Sequence, residues 1–202
     1  MEKIRIMRSL VVALVVCVGA GQAFGVSTLY NTGVEDDFIT VRPATSDEIH
    51  WLLNGEKPYV IEPNPAWVAA PAGSAWIGVT PTQETVPVAQ YNYSQSFVLT
   101  DVAGSNIVLS GLWSSDNNSE LWFNGTKVDS LDGEFAYQST KNFVITTGFV
   151  EDENLLEFRT WNMATGEGQL NPNGLLVADL LITQTTIPAP GAIVLVSLGT
   201  CV

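Results

Sequence analysis

Apolar and polar side chains alternate one by one over several short stretches of this chain, the period of a pleated strand with one buried face. The clearest case is residues 91–99, where Tyr91, Tyr93, Gln95, Phe97 and Leu99 share one face and Ser94 and Ser96 the other. Ile107, Leu109 and Gly111 alternate with Val108, Ser110 and Leu112. Leu121 and Phe123 oppose Glu120, Trp122 and Asn124, and Leu156, Phe158 and Thr160 oppose Glu157, Arg159 and Trp161. Shorter strands are expected at 27–30, 38–41, within 47–53, at 59–61, 126–128 and 142–147, with 174–181 closing the series. No ten-residue window combines a helical period with caps. Many short strands separated by turn residues predict an all-β fold, an antiparallel β-sandwich rather than βαβ units.

The turn chemistry fits that reading. Residues 114–119 are short and polar and can bond their own backbone, so they are expected to form a polar corner between two strands. Asn124-Gly125 tolerates positive φ and predicts a hairpin. Between residues 62 and 87 prolines recur at Pro63, Pro65, Pro71, Pro81 and Pro87, which argues against a helix or a central strand. The stretch reads as a long ordered loop that lays Trp67 and Trp76 against the sheet.

Residues 1–25 read as a secretory signal: Lys3, Arg5 and Arg8 precede a short apolar run over 10–20, and small residues lead to cleavage after Gly25, with Gln22-Ala23 as an alternative end and an uncleaved N-terminal anchor as the competing reading. The sandwich is expected over 26–182. Residues 183–190 form a polar, proline-containing linker, and 191–202 are apolar but short for a bilayer span. Cys17 and Cys201 both fall outside the body, so no structural disulfide is expected there. Without Lys3, Arg5, Arg8 and Glu2, the 8 basic and 21 acidic residues fall to five and twenty, a formal charge of −15. That excess disfavours nucleic acid and anionic membranes as partners, since both ask for clustered Lys or Arg. His50 is the single histidine, which disfavours a His-rich metal site or a His-assisted nucleophile.

Ile187-Pro188-Ala189-Pro190-Gly191-Ala192, followed by the apolar run 193–198, resembles the C-terminal sorting signal PEP-CTERM. Ala189 stands where the commoner form has Glu, and no arginine cluster closes the segment, so the tail reads as shortened. The resemblance implies handling by an exosortase, a membrane protease-transpeptidase of exopolysaccharide-producing Gram-negative bacteria. It also implies transient membrane association through the terminal apolar segments. Tyr30-Asn31-Thr32-Gly33-Val34, Asp47 through His50-Trp51, Trp76-Ile77, Asp116-Asn117, Trp122-Phe123-Asn124-Gly125, Phe143 through Phe149 and Asn154 through Phe158 follow the order seen in exported proteins with such tails. The Asn-Gly hairpin and the late Asn-x-Leu-x-Phe strand are similar to galactose-binding-like jelly rolls. That similarity implies a sandwich whose end loops hold a sugar or calcium, and it fixes no ligand.

Sugar binding needs a flat apolar face for the C–H side of a pyranose, ringed by amides and carboxylates. Trp122 and Trp161 point away from the core on their strands, with Asn117, Asn124, Arg159 and Asn162 as hydrogen-bonding partners. The competing reading is that the proline-rich loop covers both rings as packing. Calcium needs several oxygens, for which Asp36, Asp37, Asp47, Asp116 and Asn117 are the sources, without any specific loop spacing. For Asp116-Asn117 the alternative is turn capping, and Asp47 and His50 are expected to tie the N-terminal segment to the sheet. Glu120, Glu134 and Glu157 provide carboxylates of the type glycoside hydrolysis uses, but no catalytic motif accompanies them. The expected protein is exported and non-catalytic, located at the cell surface or in the extracellular matrix, structural or adhesive, and in contact with polysaccharide. The alternatives are a calcium-supported carbohydrate-binding module and, behind it, a glycan hydrolase.

Overall fold

Ten strands form among the residues that the computed structural model describes, which are 29–82, 86–133, 135–163 and 171–187. They are β1 (Leu52–Leu53), β2 (Tyr59–Val60), β3 (Ile77–Gly78), β4 (Gln90–Leu99) and β5 (Ser105–Asp116). β6 (Asn118–Phe123), β7 (Thr126–Leu131), β8 (Lys141–Ile145), β9 (Asp152–Trp161) and β10 (Gly174–Thr186) follow. One antiparallel sheet has the order β1-β4-β9-β6-β7, the other β2-β3-β10-β5-β8. The fold is therefore the expected antiparallel β-sandwich. The cleavage position Gly25 and the motif Pro188, Ala189 and Pro190 lie outside the described residues.

The alternation holds where it was strongest. Tyr91, Tyr93, Gln95, Phe97 and Leu99 are all buried on β4, and Leu156, Phe158 and Thr160 on β9. These faces meet Leu109, Trp113, Phe143, Ile145, Leu175 and Val177 from the other sheet in one apolar core. Trp51, Trp113 and Phe143 surround Phe158, with ring centroids 5.9, 5.9 and 6.0 Å away. Each such side chain contributes roughly 1.5–3 kcal/mol by leaving water. Asn124 (φ 46°) and Gly125 (φ 75°) turn β6 into β7 as the Asn-Gly pair demands.

Five expectations are corrected. Residues 38–41 form no strand: Phe38 sits at φ 66°, outside the extended region, and only an isolated bridge joins Val34 to Val41. Leu29 and Tyr30, the described part of 27–30, are likewise not in a strand. The proline-rich stretch does hold a central strand, because its constraint acts only at the prolines themselves; the proline-free Ile77–Gly78 sits between β2 and β10. The polar corner over 114–119 is not a surface turn. β5 runs to Asp116 and β6 restarts at Asn118, and Ser114, Ser115, Asp116, Asn117 and Ser119 are all buried. β10 also continues through Thr186, pairing with Ser105, so residues 183–186 are strand where linker was expected.

The N-terminal segment is anchored by polar contacts in place of a ladder. Thr32 donates its N–H to Val177 O (3.0 Å), and its hydroxyl accepts from Val177 N (3.0 Å). The fully buried Glu48 carboxylate accepts from the N–H groups of Gly33 (2.7 Å), Ile49 (3.0 Å) and His50 (2.8 Å). Tyr30 stacks between Phe38 (4.4 Å) and His50 (3.5 Å). Gly33 is at φ 72°, and a Cβ there would stand 2.6 Å from Ala75 Cβ. Gly33→Ala is therefore expected to destabilise by about 3 kcal/mol, combining left-handed strain with overpacking. Urea unfolding tests this; a loss below about 1 kcal/mol would show that the segment yields freely.

Candidate functional site

Strand register sets the outer face of the first sheet. Glu120 lies opposite Arg159, Trp122 opposite Glu157, and Asn118 opposite Trp161, all directed away from the core. The Arg159 guanidinium lies over the Trp122 ring, 3.8 Å from its centroid, and donates to the two Glu157 carboxylate oxygens through Nε (2.7 Å) and Nη2 (3.2 Å). Trp122 Nε1 donates to Glu120 Oε2 (2.9 Å), whose other oxygen accepts from Lys127 Nζ (2.6 Å). The hydrogen bond from Lys127 holds the Glu120 carboxyl below its usual range, and the bond to Glu157 raises the Arg159 guanidinium above its own. Two carboxylates and two cations thus balance around one indole. Such a stacked cation contributes on the order of 0.5–1 kcal/mol at a partly exposed site.

Trp122 is thus covered on one face by Arg159. The tryptophans of the proline-rich loop, Trp67 and Trp76, pack with Ile61 and Leu176. Trp161 is half-buried and borders an open groove of about 350 Å³ with Asn118, Ser119, Glu120, Asp132 and Met163. It stands four residues along β9 from Glu157, hence roughly 13 Å along the strand from the level of Trp122. An indole edged by an amide and two carboxylates is the chemistry that a pyranose face and its hydroxyls require.

The other residues expected around a sugar are elsewhere. Asn124 occupies the hairpin, donating to Gly148 O (2.8 Å) and Asn154 Oδ1 (2.9 Å) and accepting from Leu155 N (2.8 Å). Asn117 and Asn162 are buried at the corner. Asn117 Oδ1 accepts from Met163 N (2.9 Å) and Asn171 Nδ2 (3.0 Å), and Asn162 Nδ2 donates to Val86 O (2.8 Å). Asn171 Nδ2 also reaches Met163 O. These amides serve backbone groups that the corner would otherwise leave unsatisfied.

The expected calcium ligands are not gathered. Asp37 caps a turn, accepting from Thr40 N (2.8 Å) and Thr40 Oγ1 (2.5 Å), and the Thr40 hydroxyl draws its carboxyl down. Asp36 is exposed, 3.6 Å from His50 Nε2, and Asp47 offers its backbone oxygen to Arg42 Nε (2.9 Å). Among the described residues, no three His, Cys, Asp or Glu side chains converge where a metal ion would sit. Of the hydrolase carboxylates, Glu120 and Glu157 are engaged by Lys127 and Arg159, and Glu134 lies outside the described residues.

Asp116 is the unusual group. It is 2% exposed at the end of β5, and its Oδ2 accepts from Trp67 Nε1 (2.9 Å). Its Oδ1 is buried and meets no donor among the described residues. Burial pushes the carboxyl up to about 7, against the smaller opposing effect of the Trp67 bond. It borders a cavity of about 200 Å³ with Asn64, Trp67, Asn117, Tyr137 and Asn171. Sequence reasoning placed Asp116 and Asn117 at a site but missed Asn64, Trp67, Tyr137 and Asn171 as neighbours. They come from separate loops with no shared spacing, so no local signal marks them. No family model, curated protein or solved structure matches this chain, and the functional reading rests on these residues alone.

Proposed function

We propose that this is an exported, non-catalytic β-sandwich protein of the cell surface or exopolysaccharide matrix, structural or adhesive, which contacts polysaccharide through the outer face of β6 and β9. The observation that carries the reading is Trp161, half-buried beside a groove edged by Asn118, Glu120 and Asp132. Its indole offers the apolar platform, and the amide and carboxylates take up hydroxyls.

The strand order supports the galactose-binding-like jelly-roll expectation. β3, β4, β5 and β6 pair respectively with β10, β9, β8 and β7. Wound up, that one antiparallel ribbon produces the facing orders β3-β10-β5-β8 and β4-β9-β6-β7, two four-stranded halves of a jelly roll. The signal-like residues 1–25 and the Pro188-Ala189-Pro190 tail support export and exosortase handling.

Retention of the folded domain on immobilised exopolysaccharide tests the reading. Trp161→Ala is expected to weaken retention about tenfold or more, as loss of one stacking ring of roughly 1–2 kcal/mol would, with little change in melting temperature. Unchanged retention, or a large fall in melting temperature, would mean that the ring packs instead of binding.

A further inference from the structure

The dipeptide Asn-Gly occurs three times in this chain, as Asn54-Gly55, Asn124-Gly125 and Asn173-Gly174. The pair carries its own reaction. Glycine has no Cβ, so its backbone nitrogen can approach the asparagine Cγ. That attack forms an N–Cγ bond, breaks the Cγ–Nδ2 bond and releases ammonia, which takes up the proton that the glycine nitrogen gives to solvent. Water then opens the five-membered imide at either carbonyl and leaves aspartate or isoaspartate. The side-chain amide must be free to swing toward the glycine nitrogen, so the fold decides which of the three pairs reacts.

Two of the pairs share one backbone. Asn54 (φ 50°) and Gly55 (φ 89°) make a two-residue turn closed by Leu53 and Glu56. Asn124 (φ 46°) and Gly125 (φ 75°) make another, closed by Phe123 and Thr126. Their side chains are held differently. The Asn124 amide is fully engaged: Oδ1 accepts from Leu155 N, and Nδ2 donates to Gly148 O and Asn154 Oδ1. Asn173 is 1% exposed, and its Oδ1 accepts from the Tyr93 hydroxyl (3.1 Å) while Nδ2 donates to Asp116 O (2.6 Å). Asn54 and Gly55 are exposed. Asn54 Oδ1 accepts from Asn92 N (3.0 Å), but its Nδ2, the group that departs, meets no acceptor among the described residues. The turn follows β1, an edge strand of two residues paired with β4. So short an edge opens locally at a small fraction of the global unfolding free energy.

We infer that Asn54 is a site of spontaneous deamidation in the folded protein, and that the fold silences the same chemistry at Asn124 and Asn173. The folded domain carries the change, because an aspartate at this position keeps an oxygen for the Asn92 N–H. Each conversion sets a new negative charge beside Asn92, the register partner of Arg159.

Folded protein aged at pH 8, and protein held unfolded in urea at the same pH, are digested with an acid protease. Mass spectrometry of the three Asn-Gly peptides then reads conversion of amide to acid. In the folded protein Asn54 is expected to convert at least about tenfold faster than Asn124 or Asn173. In urea the three rates are expected to converge to within about threefold, since no fold then holds any of the amides. Asn54→Asp, the product itself, is expected to leave the melting temperature unchanged. Three results would each overturn the inference: Asn54 no faster than Asn124 in the folded protein, the same ranking persisting in urea, or a marked fall in the melting temperature of Asn54→Asp. The rate comparisons use the unaltered chain, and Asn124 serves as the matched turn within it.

Discussion

Phe158→Ala is expected to destabilise the sandwich by about 4 kcal/mol, the effect of deleting a fully buried aromatic ring. Phe158 comes from β9 in one sheet, while Trp113 and Phe143 come from β5 and β8 in the other. Trp51, just before β1, closes the fourth side. The neighbours are large, rigid and held by their own bonds: Trp113 Nε1 donates to Ser119 Oγ (3.0 Å) and Trp51 Nε1 to Tyr30 O (3.0 Å). They have little freedom to collapse into the space. A domain of this kind has roughly 5–15 kcal/mol in all, so the variant is expected near the limit of folding. The urea midpoint should fall with the slope unchanged. A loss under about 1 kcal/mol would show that the two sheets do not meet through this ring.

Asp116→Asn is expected to stabilise the protein at pH 8 and to do so far less at pH 4.5. The Asp116 carboxyl rises from an ordinary value of 3.8 to about 7 in the fold because burial opposes its charge. With the folded value above the unfolded one, the contribution to stability is fully present below about pH 4. It is lost as pH climbs through 7. Three units correspond to about 4 kcal/mol between those limits. Asparagine carries no charge to desolvate and keeps an oxygen for Trp67 Nε1. Comparing the variant with the native protein at each pH removes the background effect of the acidic surface. An equal stability difference at pH 4.5 and pH 8 would mean that Asp116 titrates normally.

The alternating strands were legible because one residue type repeats at one spacing: β4, β6 and β9 announce their buried faces, including Gln95 among the aromatics. Gln95 is buried because its Oε1 accepts from Tyr30 N (2.8 Å), a partner 65 positions away that no local pattern reveals. The same blindness explains the corner. Ser114, Ser115 and Asp116 have the composition of a turn, yet they lie in register with Leu176, Leu175 and Gly174 and find their hydroxyl and amide partners inside. Glu48 looks like any surface carboxylate in the sequence, and only the fold brings the Gly33 N–H to it. Trp122 and Trp161 were placed on the correct face because strand period alone decides that. The cavity was not legible, since Asn64, Trp67, Asp116, Tyr137 and Asn171 become neighbours only when the chain closes on itself.

The long pairing of β10 with β5 has a mechanical corollary. Eleven residue pairs join the two strands from Gly174 to Thr186, interrupted by one irregularity after Ala178. A pull on the Thr186 end along the strand axis would strain those hydrogen bonds side by side, in shear, and not peel them away in sequence. A tether attached beyond that end would therefore load those hydrogen bonds together.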